Sequence, residues 1–272
     1  AGGSRAGPLR RLHGSRATTR VRYAHLWRVS LALAIVAVFV AAFVMACAGF
    51  GFGMVAVPFL LFLMPHQEVV AVVIILSGCI SAYVAWDARR HIRPRLLLPL
   101  AAGGVVGIPM GVWVLKHIDP TLYKAGAGAI IALLALMLVL GWRKPVARQH
   151  LVLFPLGIVS GIMGGSMTIG GPPIILFLTS QGTQKEVFRA NLITYFFIMN
   201  CWGAVVLTAS GLFTRPVFVS AGLLALPMLI GAYLGARMAH RVPEQSFRQA
   251  VLWLVFVLGL LLCAANVWKS LT

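Results

Sequence analysis

Long apolar segments recur along this chain, and they constrain its fold more than any other feature. Seven stretches carry at most one charged side chain each and approach 20 residues, the length at which a helix crosses a bilayer core about 30 Å thick. They are residues 29–48, 69–86, 97–115, 123–142, 190–212, 217–236 and 249–268. Two further apolar stretches, 52–64 and 151–180, are interrupted by glycine and proline.

These segments predict helices rather than a barrel. Lipid offers no hydrogen bonds, so a spanning backbone must satisfy its own polar groups as a helix or a closed barrel. The apolar runs are continuous and do not alternate with polar residues, which favours helices. The whole chain is 60% hydrophobic and 10% charged, whereas soluble domains carry about 25% charged residues. The sequence therefore predicts an all-α, polytopic integral membrane protein, a multi-pass protein of the cell inner membrane.

The chain is strongly basic, and the distribution of charge points to a lipid bilayer rather than to nucleic acid as its partner. The net charge is +18, from 23 Lys and Arg against 5 Asp and Glu. Seven arginines lie in the tail at residues 1–28, and most other basic residues lie in short loops between apolar runs. Basic loops of this kind are typical of the cytoplasmic side of membrane proteins. The tail is either a targeting segment or a basic arm attracted to anionic lipid.

The two halves of the chain share an ordered set of landmarks, which predicts an internal repeat. The glycine-rich segment 49–58 aligns with 164–173 when Pro58 is matched to Pro173. The matched landmarks that follow are Glu68 with Glu186, Arg93-Pro94 with Arg215-Pro216, and Gly107-xxx-Gly111 with Gly231-xxx-Gly235. The sequence predicts a first transmembrane repeat at 29–145 and a second at 146–272. Glycines four residues apart are expected to be helix-packing seams.

The orientation of the repeats depends on segment 151–180. The basic loop 89–95 is placed inside by the charge rule. If 151–180 enters and returns as a hairpin, the basic residues at 185–189 and 237–248 also fall inside, and the repeats are inverted. The charge rule favours this arrangement, which recurs in secondary transporters. Eight single crossings with parallel repeats remain the alternative.

The Gly/Pro-broken segments are the candidate binding site. A helix that begins at a break presents free N–H groups and a partial positive charge, which suits an anion. All five acids lie at predicted span ends, so the buried carboxylate expected of a cation pathway is missing. Hydroxyl and amide side chains in the spans add neutral donors. The candidate substrate-binding residues are Gly51, Gly53, Pro58, Gly165, Ser166, Thr168, Gly170, Gly171, Pro172, Asn191, Thr194 and Asn200.

Three charged residues near these segments are candidates for gating or coupling: Arg189, Glu186 and Glu68. Neither the cysteines nor the histidines have metal-ligand spacing, and the histidines fall in the tail or at span ends, where we expect them at the interface. No acid pair, Ser/His/Asp set or nucleotide-binding motif is present. We therefore predict no catalytic residues, no metal and no cofactor, and a transport protein rather than an enzyme.

Three motifs resemble the sulfite exporter TauE/SafE family of membrane transporters. They are Gly-Phe-Gly-x-x-x-Val-Pro at 51–58, Gly-x-Met-Gly-Gly-x-x-x-Ile-Gly-Gly-Pro-Pro at 161–173, and Arg-Ala-Asn at 189–191. The resemblance covers about residues 30–268 and implies a carrier of small sulfur-containing anions such as sulfite, sulfoacetate and related organosulfonates. It also implies coupling to protons in some members. A passive anion channel and a carrier of a non-sulfur carboxylate stay open as alternatives, as do a homodimer and the direction of transport.

Overall fold

The computed structural model describes residues 31–47, 50–141, 149–238 and 244–271. Within these ranges the structure is helical, with a short 3-10 helix at Arg89–His91. The α-helices are α1 (Leu31–Cys47), α2 (Phe52–Leu63), α3 (His66–Ala88), α4 (Pro94–His117), α5 (Pro120–Leu140), α6 (Gln149–Met167), α7 (Gly171–Ser180), α8 (Lys185–Ala209), α9 (Arg215–Met238) and α10 (Glu244–Leu271). The tail at 1–28 lies outside the described residues.

The predicted all-α membrane fold is confirmed at this level. Each of the seven uninterrupted apolar stretches coincides with one helix, from α1 to α10. In the described part of the chain, five helices are long and apolar enough to cross a membrane: Pro94–His117, Pro120–Leu140, Glu186–Ala209, Arg215–Met238 and Gln249–Trp268. The chain is therefore a multi-pass membrane protein.

The two broken segments differ in detail from their prediction. We expected a half-helix to begin after each glycine cluster. Gly53 instead lies inside α2, which begins at Phe52, and Pro58 lies in the middle of that helix. Gly165 lies in the last turns of α6. The second interruption is the short stretch 168–170 between α6 and α7.

Local backbone chemistry explains where these helices begin. Gly51, the N-cap of α2, has a φ of 101°, a conformation that glycine adopts without a steric penalty. α7 carries Pro172 and Pro173 in its first turn, where proline is tolerated because those N–H groups have no helical partner. Asp119 caps α5 by accepting hydrogen bonds from the backbone N–H groups of Thr121 and Leu122.

Glycines hold α4 against α6 at very short range, which confirms the first predicted packing seam. A Cβ built on Gly103 would lie 2.1 Å from the Phe154 carbonyl oxygen, and one on Gly107 would lie 2.3 Å from that of Ile158. The contacting residue numbers rise together along both helices, so α4 and α6 run parallel. Only glycine allows helix backbones to approach this closely.

The second predicted seam is confirmed in the same way, between α9 and α1. A Cβ on Gly231 would lie 2.4 Å from the Phe39 carbonyl oxygen, and one on Gly235 would lie 2.5 Å from that of Phe43. These helices also run parallel. In each seam, a helix from one half of the sequence packs against a helix from the other half. α4 packs against α6, which precedes α7, and α9 packs against α1, which precedes α2.

The chain reverses direction between α6 and α7. Gly170 lies beside Ser160, ten residues earlier, and the Ser160 hydroxyl donates a 2.5 Å hydrogen bond to the Gly170 carbonyl. α7 begins directly after this contact, with Gly171 against the ring of Phe196 in α8. The second break is therefore folded back into the protein interior.

Candidate functional site

The start of α2 contacts the short segment that precedes α7. A Cβ added to Gly53, at the start of α2, would lie 2.3 Å from the carbonyl oxygen of Thr168, which precedes α7. Beside this contact lies a cavity of about 70 Å³. Its wall is built from the starts of α2 and α7, the end of α6, and the middle of α3 and α8.

The cavity wall is largely apolar, and the polar groups in it are uncharged. Among the described residues that line it, none has an ionisable acid or base at neutral pH. Its side-chain donors and acceptors are the hydroxyl and amide groups of Ser77, Ser81, Ser160, Thr168, Tyr195 and Asn200. The hydroxyl protons of this set are donated within the protein. The Asn200 amide has two N–H groups and gives one to Ser81, so the other can donate to an anion without adding a counter-charge.

Backbone N–H groups at the start of α2 add to these donors. The first hydrogen bond within α2 runs from the Val55 N–H to the Gly51 carbonyl at 3.1 Å, so the N–H groups of Phe52, Gly53 and Met54 precede the helical ladder. α7 offers fewer, because Pro172 and Pro173 have no N–H. The partial positive charge of both helix ends still favours an anion.

An amide links the α3 and α8 sides of the cavity. The Ser77 hydroxyl donates to Asn200 Oδ1 at 3.0 Å, and Asn200 Nδ2 donates to the Ser81 hydroxyl at 3.4 Å. Ser81 in turn donates to the carbonyl of Ser77. These bonds orient the amide of Asn200, so its position in the wall is defined.

A second hydrogen-bonded chain holds the break before α7. The buried hydroxyl of Tyr195 donates to Ser160 Oγ at 3.0 Å, and Ser160 donates to the Gly170 carbonyl. This arrangement ties α8 and α6 to the reversal of the chain. It keeps Gly170 and Gly171 at the cavity.

Thr168 adopts a strained backbone at the same break. Its φ is 55°, in the left-handed region that β-branched residues rarely enter. Strain of this kind costs about 1–3 kcal/mol and tends to occur at functional sites. The Thr168 hydroxyl bonds to the neighbouring Met167 carbonyl at 2.6 Å, which stabilises the conformation locally.

The structure brings eight of the twelve predicted binding residues to this cavity. They are Gly51, Gly53, Gly165, Thr168, Gly170, Gly171, Pro172 and Asn200. They come from both sequence halves.

The other four predicted binding residues lie away from the cavity. Pro58 is buried within α2, and the Ser166 hydroxyl bonds to the Ile162 carbonyl at 2.7 Å. Asn191 donates to the Val187 carbonyl at 2.7 Å and accepts from the Arg93 N–H at 3.1 Å, so it anchors the start of α8. Thr194 is half-buried, and in the described part of the chain its buried hydroxyl oxygen has no hydrogen-bond partner.

The three predicted gating residues also lie outside the cavity. Arg189 and Glu186 are exposed near the start of α8. Glu68 lines a separate groove of about 570 Å³ together with Arg215. Their roles in gating or coupling stay predictions.

The position of Arg189 leads to a specific expectation. We expect Arg189→Ala to leave the affinity for the transported anion within about twofold, since an exposed charge outside the site is screened by water and salt. The measurement is an anion titration of the purified variant. A tenfold loss of affinity would place Arg189 on the binding path instead.

Sequence reasoning missed Ser160 as a site residue. It lies in the apolar helix α6, and nothing in its local sequence separates it from Ser166 of the same helix, which bonds its own helix. Tyr195 is one of several polar residues in its span, and nothing in the sequence identifies a partner for its hydroxyl. Only the reversal of the chain at 168–170 brings both to one place.

Comparison with known proteins agrees with the motifs. The family described as "Sulfite exporter TauE/SafE" matches residues 33–262. The "Probable sulfite/organosulfonate exporter TauE" of Cupriavidus necator is 26% identical over 229 residues, which cover 81% of this chain and 89% of that protein. No solved structure gave a significant match.

Proposed function

Because this chain belongs to the sulfite exporter TauE/SafE family, a family of transporters rather than enzymes, we propose that it is a secondary carrier of sulfite or an organosulfonate such as sulfoacetate. We place it in the cell inner membrane. The observation that carries the proposal is the cavity at the start of α2 and α7, where uncharged hydrogen-bonding groups lie in a largely apolar wall. The twelve predicted binding residues enter the proposal in two groups: the eight that line the cavity bind the anion, and the other four support the helices around it.

The chemistry of the wall supports an anion as the ligand. The backbone N–H groups at the start of α2 and the amide of Asn200 can donate there, and hydrogen bonds to a charged acceptor are about twice as strong as those between neutral groups. A cation would need carboxylates or several carbonyl oxygens, and the described lining residues include no carboxylate.

The size of the cavity supports a small ion. One water-sized site needs about 10–15 Å³ by this measure, so a cavity of about 70 Å³ has room for roughly five such sites. Sulfite, with one sulfur and three oxygens, fits this space. Sulfoacetate adds a methylene group and a carboxylate, so the carrier would have to open wider to admit it.

We further propose that the two repeats are inverted and that their movement opens the binding site to one face of the membrane and then to the other. The start of α8 is tied to the 89–93 loop through Asn191 and Arg93, and its end lies near the end of α4 through Lys116 and the Ser210 carbonyl. α6, parallel to α4, therefore starts on the side of the basic loop, and its reversal at Gly170 supports a return to that side. α1, parallel to α9, would enter from the opposite side.

This arrangement suits alternating access because the two breaks would meet from opposite faces of the membrane. Inverted repeats with discontinuous helices at the midplane are the usual architecture for rocking one half against the other. Repeat boundaries at 29–145 and 146–272, coupling to protons and a homodimer remain part of the proposal.

Transport in liposomes tests the function, and Asn200 supplies the variant. We expect saturable sulfite or sulfoacetate flux, and for Asn200→Ala a KM raised about tenfold, because a hydrogen bond to a charged ligand contributes about 1.5–3 kcal/mol. Asn266→Ala is the matched control: its buried amide donates to the Leu262 carbonyl at 2.8 Å, within α10 and away from the cavity. Its KM should stay within twofold of wild type.

Two results would contradict the proposal. Ohmic single-channel currents would indicate a passive channel. A ligand that binds the folded state raises the melting midpoint by mass action. The substrate would therefore be a non-sulfur anion if simple carboxylates raise the midpoint in a thermal-shift screen and the sulfur compounds do not. The sulfur compounds in the screen are sulfite, sulfate, thiosulfate, sulfoacetate and taurine.

A further inference from the structure

His66 is a buried histidine with an unsatisfied ring nitrogen. Sequence reasoning places it at the membrane interface, and it does lie at the start of α3, but its side chain is only 6% exposed. The imidazole forms a hydrogen bond with the backbone of Leu115. In the described part of the chain, its Nε2 has no hydrogen-bond partner. Buried polar atoms are nearly always paired, so an orphan nitrogen calls for an explanation.

The ring of His66 is connected to the second break through Tyr123. The two ring centroids are 4.7 Å apart. The Tyr123 side chain is 1% exposed, and its hydroxyl donates a 2.6 Å hydrogen bond to the Ser166 carbonyl. Ser166 stands two residues before the strained Thr168. A displacement of the His66 ring would therefore move the group that holds the end of α6 beside the cavity.

Protonation of His66 would change this contact for a simple reason. A ring nitrogen bonded to a backbone group donates, so in the neutral ring Nε2 is the free acceptor. A proton on Nε2 creates a positive charge and a donor with no acceptor nearby, both costly in a buried site. The protonated ring thus favours another conformation, in which Nε2 reaches water or an acceptor.

The charged groups around His66 leave this nitrogen available. Lys124 of α5 and Asp119, the α5 N-cap, both interact electrostatically with the ring. The charge of Lys124 disfavours a protonated ring, and the charge of Asp119 favours it. The nearby cations of α4 are engaged elsewhere: Lys116 donates to the Ser210 carbonyl at 3.0 Å, and His117 Nδ1 lies 2.8 Å from the Trp113 carbonyl oxygen. On the same helix, Glu68 faces the separate groove.

We propose that His66 is the proton-binding site of this carrier and that it acts on the second break through Tyr123 and Ser166. A proton from water adds to the Nε2 lone pair to give the imidazolium and is released as the ring returns to its buried, neutral state. No other bond changes. Because only one conformation tolerates the charge, proton binding and conformation are linked. The inference rests on the proposed transport function and assigns its coupling to His66 rather than to Glu68 or Glu186.

The test compares the pH dependence of flux among three variants. Sulfoacetate is the probe, since its charge is constant between pH 5.5 and 7.5, a range in which histidine commonly titrates. We expect wild-type flux to change at least about threefold over this range, and His66→Gln to be flat. Tyr123→Phe keeps the ring but removes the hydroxyl link and should also be flat. His117→Gln, an exposed histidine on the same side, should keep the wild-type profile.

A second readout does not depend on transport. The wild-type melting midpoint should fall on acidification toward pH 5.5, since charging a buried imidazole destabilises the fold, and His66→Gln should reduce this fall. A wild-type pH profile of flux in His66→Gln would overturn the proposal, as would an unchanged acid shift in its melting. Absence of wild-type flux at every pH would count against the proposed function instead, and proton binding at His66 would then be decided by the melting comparison.

Discussion

Gly53→Ala should reduce anion flux at least about tenfold while the protein still inserts and folds. A methyl group at this position would lie 2.3 Å from the Thr168 carbonyl oxygen, and the opposing atom belongs to backbone rather than to a flexible side chain. Overpacking of this kind costs about 1–3 kcal/mol, and it would separate the two breaks at the cavity. A change of about 1.4 kcal/mol corresponds to a factor of ten in affinity. Displacement of the hydrogen-bond donors at the cavity by this amount of energy is therefore sufficient for the expected loss of flux.

The matched control is Gly164→Ala, which adds the same methyl group to the same cavity wall. Gly164 lines the cavity, but a Cβ there meets no atom within 4 Å. We expect its flux to stay within about twofold of wild type. Flux is measured in liposomes containing equal amounts of folded protein, judged by size-exclusion profile. Equal flux in both variants would show that the breaks can separate without harm to the site.

Gly107→Leu should have the largest effect on stability. The α4–α6 seam brings the Ile158 carbonyl oxygen within 2.3 Å, and the Ile162 nitrogen within 2.9 Å, of a Cβ built on Gly107. A leucine cannot fit between two backbones, so the helices must separate along a seam that also includes Gly103 and Gly111. We expect a loss of more than about 3 kcal/mol, which is a fall in Tm of roughly 10 °C for a chain of this length.

Gly222→Leu is the control for the seam variant. Gly222 lies in the middle of α9, and a Cβ there meets nothing within 4 Å. The substitution adds the same side chain to a helical glycine that faces outward, so Tm should not fall. Tm is read from the loss of tertiary fluorescence on heating in detergent. A Gly107→Leu variant that melts with wild type would mean that α4 and α6 do not depend on this close contact.

The membrane helices could be read from the sequence because hydropathy is a local property. The free energy of transferring an apolar segment into lipid does not depend on how the neighbouring segments pack. Each predicted span is therefore found as a helix. The packing role of Gly107 and Gly231 was also predictable, since small residues four apart are the usual means of close helix approach. The position of all five acids at span ends is also a local property, and it led to the expectation that the ligand is negatively charged.

Side-chain roles at the site were less predictable, since they depend on how each helix is rotated against its partners. Asn191 and Asn200 are both amides in α8, yet Asn200 lines the cavity and Asn191 anchors a loop on the far side of the helix. Ser160 and His66 gained their partners from segments distant in sequence. A single helix does not encode which face meets the interior when most of its residues are apolar.

By itself, the sequence determined that this chain is a bundle of membrane helices, and it predicted two Gly/Pro-rich breaks. Lipid forbids unpaired backbone groups, and glycine and proline disfavour a continuous helix. Only the tertiary structure decided that these two segments meet, with Gly53 against Thr168 beside one cavity. That meeting depends on glycine seams that join each half to the broken segment of the other. It also depends on a reversal held by Ser160 and Tyr195, contacts across more of the chain than any local pattern spans.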